Sequence, residues 1–133
     1  DDRLFYASTH QYPLYPGTGA ASETGVGNVV NVPLRPMSGS SQFRSGMSQR
    51  VLPALDAFCP ELVLISAGFD AHRRDPLAQL MLEEPDYVWI TEQLLEIAYR
   101  HARGRVVSAL EGGYDLATLN ACVAAHVRVL MSV

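Results

Sequence analysis

With 133 residues and a formal net charge of −4, the chain is long enough for one domain core and lacks the basic surface that phosphate backbones require. Hydrophobic residues make up 48% and charged residues 18%, which excludes a disordered or collagen-like polypeptide. No apolar run approaches a membrane span and no pattern suggests a secretory leader. Cys59 and Cys122 form neither a CxxC nor a disulfide framework. Both read as small buried hydrophobes of a reduced, cytoplasmic protein.

The opening Asp1-Asp2-Arg3 leads straight into an apolar strand, as expected of a piece of a longer protein. Leu4–Thr9 reads as that strand. His10–Gly27 is a loop with turn signals at Pro16-Gly17 and Gly25. Tyr12, Leu14 and Tyr15 interleave with the breakers, which predicts an ordered loop lining a pocket. Asn28–Leu34 is a second strand closed by Pro33 and Pro36, and Ser38–Ser41 a turn. The spacing of Met47, Val51, Leu55 and Phe58 predicts a helix over about Gln42–Phe58, with Pro53 kinking it or ending its first half.

The next strand, Leu62–Ser66, is a short apolar run of the kind buried on both faces of a parallel sheet. It runs through Ala67-Gly68-Phe69 into Asp70. In open α/β sheets ligands bind beyond the carboxyl ends of strands, so Asp70 falls where a metal ligand or catalytic acid belongs. A helix over about Asp86–Arg103 presents Tyr87, Ile90, Leu94, Ile97 and His101 at helical spacing and stops at Gly104. Strand Arg105–Leu110 then runs into Glu111-Gly112-Gly113-Tyr114-Asp115, repeating the pattern of an apolar strand that delivers polar residues. Asp115 is expected to cap a last helix burying Leu116, Leu119, Val123, Val127 and Leu130. Alternating strands and helices predict an α/β, three-layer α/β/α fold with a mostly parallel sheet, as one domain or the C-terminal portion of one. The two strand ends are expected to be neighbours sharing one site.

Each candidate residue also has an ordinary reading. Asp70 has the commoner one of a cap or turn residue. Asp75-Pro76 is a turn-starting pair, with Asp75 holding the loop while Asp70 points inward. The Tyr114 phenol, presented by two glycines, suits donation to a developing oxyanion; its ordinary role is packing over a helix N-terminus. His72, beside Arg73-Arg74, reads as solvated surface. His10 reads as structural or site-lining, and His101 and His126 as core-facing or boundary residues without function. Pro16-Gly17-Thr18-Gly19 lacks the lysine and helix of a phosphate-binding loop.

Taken together, four segments in order resemble the zinc-dependent histone deacetylase superfamily, in its bacterial and class II histone deacetylase-like amidohydrolase form. They are Ser8-Thr9-His10-Gln11, Leu14-Tyr15-Pro16-Gly17-Thr18-Gly19, Ser66–His72 with Asp75-Pro76-Leu77, and Leu110–Leu116; Asn31-Val32-Pro33-Leu34 also fits. The likeness spans nearly the whole chain, residues 1–133, as the C-terminal portion of one such domain with an arginase/deacetylase-like fold. It implies that Asp70 is one of three zinc ligands and that Tyr114 stabilises the tetrahedral intermediate when zinc-bound water attacks an acetyl-lysine amide. It further implies Tyr15 as an aromatic wall of the acyl-lysine tunnel, Leu77 at its rim, and Gly112 and Gly113 as the glycines that let Tyr114 approach. The Ser8 hydroxyl and the Thr9 carbonyl would belong to a potassium site, and carbonyls near Leu4 and Asn28 to a second monovalent-cation site.

The family takes its other two zinc ligands from an upstream Asp-x-His segment and its proton shuttle from an upstream His-His pair. These 133 residues alone are therefore expected to bind little zinc and catalyse nothing. The expected partner is an acetylated lysine peptide or protein, or another acetylated amine, with no nucleic acid and no membrane. An acetylpolyamine amidohydrolase is the same-chemistry alternative, and a non-catalytic binding or assembly module the different-class one. An unpaired sheet edge and apolar helix faces would favour a homo-oligomer.

Overall fold

The computed structural model describes residues 1–132. In chain order they form β1 (Tyr6–Gln11), β2 (Val29–Leu34), α1 (Ser40–Gly46), a π-helical turn (Met47–Val51), α2 (Leu52–Phe58), β3 (Val63–Ala67), α3 (Glu84–Ala102), β4 (Val106–Leu110) and α4 (Leu116–Met131). The irregularity expected at Pro53 is the π-helical turn just ahead of it. Leu52 N–H reaches back to Met47 O, and Pro53, which has no N–H to donate, sits in the first turn of α2.

The strands make two parallel pairs. Tyr6 stands opposite Val29 and Gln11 opposite Leu34 in the first; Val63 stands opposite Val106 and Ala67 opposite Leu110 in the second. One apolar core joins both pairs: Val32 and Leu34 of β2, Phe43 of α1, Met47 and Val51 of the π-helical turn, Ala67 and Phe69 at the end of β3, and Cys122 of α4. Burying each of the large side chains contributes about 1.5–3 kcal/mol. Gln11, at the end of β1, accepts from Gln79 N–H (2.7 Å) and so stitches the first pair to the loop that follows β3.

Helix α3 starts at Glu84, where Asp86 reaches back to accept from Glu83 N–H (3.1 Å). Asp86 is itself buried and binds Arg44 Nε at 2.8 Å and Ser40 Oγ at 2.6 Å, fastening α3 to α1. The helix ends at Arg103 in the left-handed conformation, followed by Gly104. Asp115 caps α4 as expected, accepting from Thr118 N–H at 2.9 Å. No helix among the described residues is long and apolar enough to cross a membrane.

Several expectations are corrected. Strand β3 alternates between buried Val63 and Ala67 and exposed Leu64 instead of being buried on both faces, because α3 covers one face and no described element lies on the other. β4 is the more exposed of the two, with Val107 and Leu110 both open. Helix α4 buries Thr118, Cys122 and His126, whereas Leu116 and Val127 are exposed. The polar side chains tolerate burial because each is bonded: Thr118 Oγ1 donates to Asp115 O, and His126 sits between Thr91 Oγ1 (2.7 Å) and Ser108 Oγ (2.8 Å). Cys122 is buried, but Cys59 is exposed, at the left-handed C-cap of α2.

Candidate active site

The parallel register of β3 and β4 brings their carboxyl ends side by side, and Phe69 N–H donates to Gly112 O (2.7 Å) across the gap. Asp70, next in the chain, is half-buried against Gly112. A Cβ on Gly112 would lie 2.5 Å from Asp70 Oδ2 and 2.8 Å from Oδ1. Gly112 is thus glycine because the carboxylate occupies the space a side chain would need. Gly113 has φ +137°, and a Cβ there would meet Leu119 Cδ1 at 2.8 Å.

The backbone that leaves Gly113 is caught by Asp75. Its Oδ2 accepts from Tyr114 N–H (2.9 Å), while Oδ1 accepts from the N–H groups of Leu77 (2.9 Å) and Ala78 (3.3 Å). One buried carboxylate therefore fixes both the turn at Leu77 and the start of the Tyr114 segment. Tyr114 is 55% exposed and Leu77 64% exposed.

No protein cation pairs with Asp70 among the described residues. Burial, and then the neighbouring charge of Asp75, push its carboxyl above the usual carboxylate range. A half-buried carboxylate without a counter-charge, cradled against a glycine, suits a metal ligand.

The structure thus brings Asp70 against Gly112, next to Gly113 and Tyr114, and Asp75 ties Tyr114 to Leu77. Tyr15 stands apart at 95% exposure, and no hydrogen bond or ring contact ties it to the Asp70 side among the described residues. Its loop is ordered at the base, where Glu23 Oε1 accepts from Gly19 and Ala20 N–H and Asn31 Nδ2 donates to Glu23 O.

Ser8 lies 2.9 Å from His10 Nδ1, and His10 Nε2 lies 3.0 Å from Gly19 O. Because a carbonyl only accepts, Nε2 donates to Gly19 O. Where the second cation site is expected, protein donors already hold both carbonyls: Asn28 Nδ2 donates to Leu4 O (2.7 Å), and Tyr6 N–H to Asn28 O (3.0 Å).

His72 is the clearest misreading. It is 3% exposed, in contrast to Arg73 and Arg74 beside it, because Leu82 pairs with its backbone as in a short strand. Although Asp70-Ala71-His72 has the spacing Asp-x-His, the side chains part company: Asp70 lies against Gly112, while His72 Nε2 faces Glu84 and Cys122. Leu80-Met81-Leu82 is the apolar run that signals this pairing. The Gln11–Gln79 stitch has no local signal, since its residues lie 68 positions apart.

The histone deacetylase domain model matches residues 1–130. The chain belongs to the histone deacetylase family. It is 36% identical over 137 residues to the histone deacetylase-like amidohydrolase of Pseudomonas aeruginosa, covering 99% of this chain and 36% of that protein. Against Type-2 histone deacetylase 2 of Dictyostelium discoideum it is 35% identical over 145 residues, 98% of this chain and 8% of that one. The solved HDA15 HD domain superposes with a TM-score of 0.85 at 37% identity, covering 96% of this chain and 37% of that structure. The solved histone deacetylase Clr3 superposes with 0.89 at 31% identity, covering 100% and 23%. The α/β deacetylase fold is thereby established, and the chain spans well under half the length of the relatives it matches.

Proposed function

We propose that the protein containing this chain is a zinc-dependent hydrolase that removes acetyl groups from lysine side chains, and that this chain contributes one wall of its active site. The observation that carries the reading is the unpaired Asp70 carboxylate, seated against Gly112 on the strand next to the one that delivers Tyr114. When bound, zinc supplies Lewis acidity and lowers the pKa of a water it holds. Asp70 would be one of its ligands. The rest would come from elsewhere in the protein, as the family's Asp-x-His segment implies.

The remaining chemistry belongs to residues of this chain. Tyr114 O–H donates a hydrogen bond to the amide oxygen as negative charge gathers there, which is worth most where the donor is already aimed. Asp75 supplies that aim by holding Tyr114 N–H. Leu77, pinned through the same carboxylate, offers an apolar rim to the methylene stem of a lysine, and Tyr15 would face it from the other loop. The Ser8 hydroxyl and Thr9 carbonyl fit a potassium ion that stiffens the base of β1.

The test is hydrolysis of acetyl-lysine peptides and of acetylated polyamines by the full-length protein loaded with zinc. Turnover of the peptide that disappears on Asp70→Asn supports the reading. Preferential turnover of the polyamine replaces lysine with a small amine as substrate. Binding of acetylated peptide without hydrolysis turns the protein into a reader of the mark and overturns the enzyme.

A further inference from the structure

The Asp70 loop, the first turn of α3 and the middle of α4 converge on three groups that the deacetylase chemistry does not use. His72 is buried, and its Nε2 has no hydrogen-bond partner; the nearest acceptor, Glu84 Oε2, is 3.4 Å away. A buried ring nitrogen left in that condition destabilises the fold until a partner meets it. Cys122, fully buried on α4, is the third member, and one donor atom from each of the three lies within 4.8 Å of the others. We propose that His72, Glu84 and Cys122 form a metal site for a zinc-class divalent cation, separate from Asp70.

The donor set suits that class of ion. An imidazole nitrogen, a thiolate and a carboxylate match zinc, whereas magnesium and calcium prefer oxygen alone. Bonds of about 2.0–2.3 Å require the three atoms to draw in slightly, and the half-exposed Glu84 side chain has room to move. Thiolate and carboxylate together cancel the charge of a dication, so the loaded site is neutral where an unpaired ion would be costly. Glu84 is also the open side of the cluster, which gives the ion an entry path and leaves its fourth position to water.

Without metal, Cys122 is a thiol, pushed up to about 11 by burial and by the Glu84 charge. On binding, the S–H bond breaks, a sulfur–metal bond forms, and the proton leaves to water. His72 must also change. Its Nδ1 accepts from Arg74 N–H at 3.2 Å, and a metal on Nε2 requires Nδ1 to carry the ring proton, so Arg74 N–H turns to solvent. That long hydrogen bond is weak beside what a structural zinc supplies. The ion would clip the loop carrying Asp70 to both helices. The expectation of little bound zinc counted the Asp70 side alone, and this site would add to it.

Cobalt(II) titration of the full chain in an Asp70→Asn background tests the site, because a thiolate-to-cobalt charge-transfer band reports sulfur ligation that Asp70 cannot provide. The expected result is one equivalent of cobalt with a single-thiolate band, displaced by zinc. Cys122→Ser abolishes the band, Glu84→Gln weakens binding by about tenfold or more, and Cys59→Ser changes neither. No band, a band that survives Cys122→Ser, or a band lost only with Cys59→Ser overturns the proposal and leaves His72 beside Glu84 and a packed cysteine. Should Cys122→Ser fail to fold, Glu84→Gln decides: unchanged cobalt affinity overturns the site. None of these readouts depends on hydrolysis, so the site and the proposed enzyme stand or fall separately.

Discussion

The loops that follow β1 and β3 are held in different ways. The second is tied along its length: Phe69 to Gly112, Ala71 and Arg73 to Leu82, Asp75 to Leu77, Ala78 and Tyr114, and Gln79 to Gln11. The first is held at its base by His10, Glu23 and Asn31, while the stretch bearing Leu14 and Tyr15 projects into solvent. In the proposed enzyme the ligand Asp70 sits on the bonded loop, and the donor Tyr114, on the segment after β4, is tied to that loop through Asp75. The aromatic wall proposed for Tyr15 would sit on the open one, where adaptability to a substrate is useful and positional accuracy is not.

Substitutions can break that contrast. The largest effect is expected from Tyr114→Phe in the full-length zinc-loaded protein: kcat falls by roughly 10²–10³-fold with KM little changed, measured in steady state. Asp75→Ala follows, lowering kcat by about 100-fold through misplacement of Tyr114 while the ring itself is intact. Tyr15→Ala should change KM by no more than about tenfold. A larger kcat loss from Tyr15→Ala than from Asp75→Ala would reverse the assignment of fixed and adaptable walls.

Stability tests sharpen the same contrast on a smaller scale. Gly112→Ala drives a methyl group into the Asp70 carboxylate and should cost about 1–3 kcal/mol in urea unfolding. Gly17→Ala, on the open loop, meets no atom within 4 Å and should cost less, its strain coming from φ +87° alone. Asp70→Asn should raise the melting temperature at neutral pH. The folded chain holds the Asp70 proton more tightly than the unfolded one, so this group's penalty is absent below the ordinary carboxylate value and grows as pH rises through the raised folded value. The gain should therefore shrink in acid, and a variant that melts lower at neutral pH would mean that Asp70 already has a counter-charge.

The strands and their polar ends were legible because apolar runs closed by small residues leave few alternatives. Val63–Ala67 and Val106–Leu110 lie within a residue of where the pattern puts them, and their register brings the two strand ends side by side as expected. Asp115 was legible for the same local reason, a cap followed by helix. The buried stripe of α4 was not: Thr118 lies inside with its hydroxyl bonded to Asp115 O, and His126 through Thr91, distant in sequence. His72 was hidden by Arg73 and Arg74: a charged pair in sequence says nothing of the residue before it once the backbone pairs with Leu82. Tyr15 and Leu77 were placed by resemblance, and only Leu77 has a local physical reason for its position, the Asp75 turn.

Asp75 has a mechanical consequence. Its two oxygens hold the turn at Leu77 and the backbone of Tyr114, so in the proposed enzyme the rim and the phenol would not shift independently. A substrate that spreads the rim draws on the same carboxylate that sets the tyrosine. Acyl groups too wide for the entrance would therefore be penalised at the bond-breaking step as well as at entry, from a residue that touches neither the acyl chain nor the scissile amide.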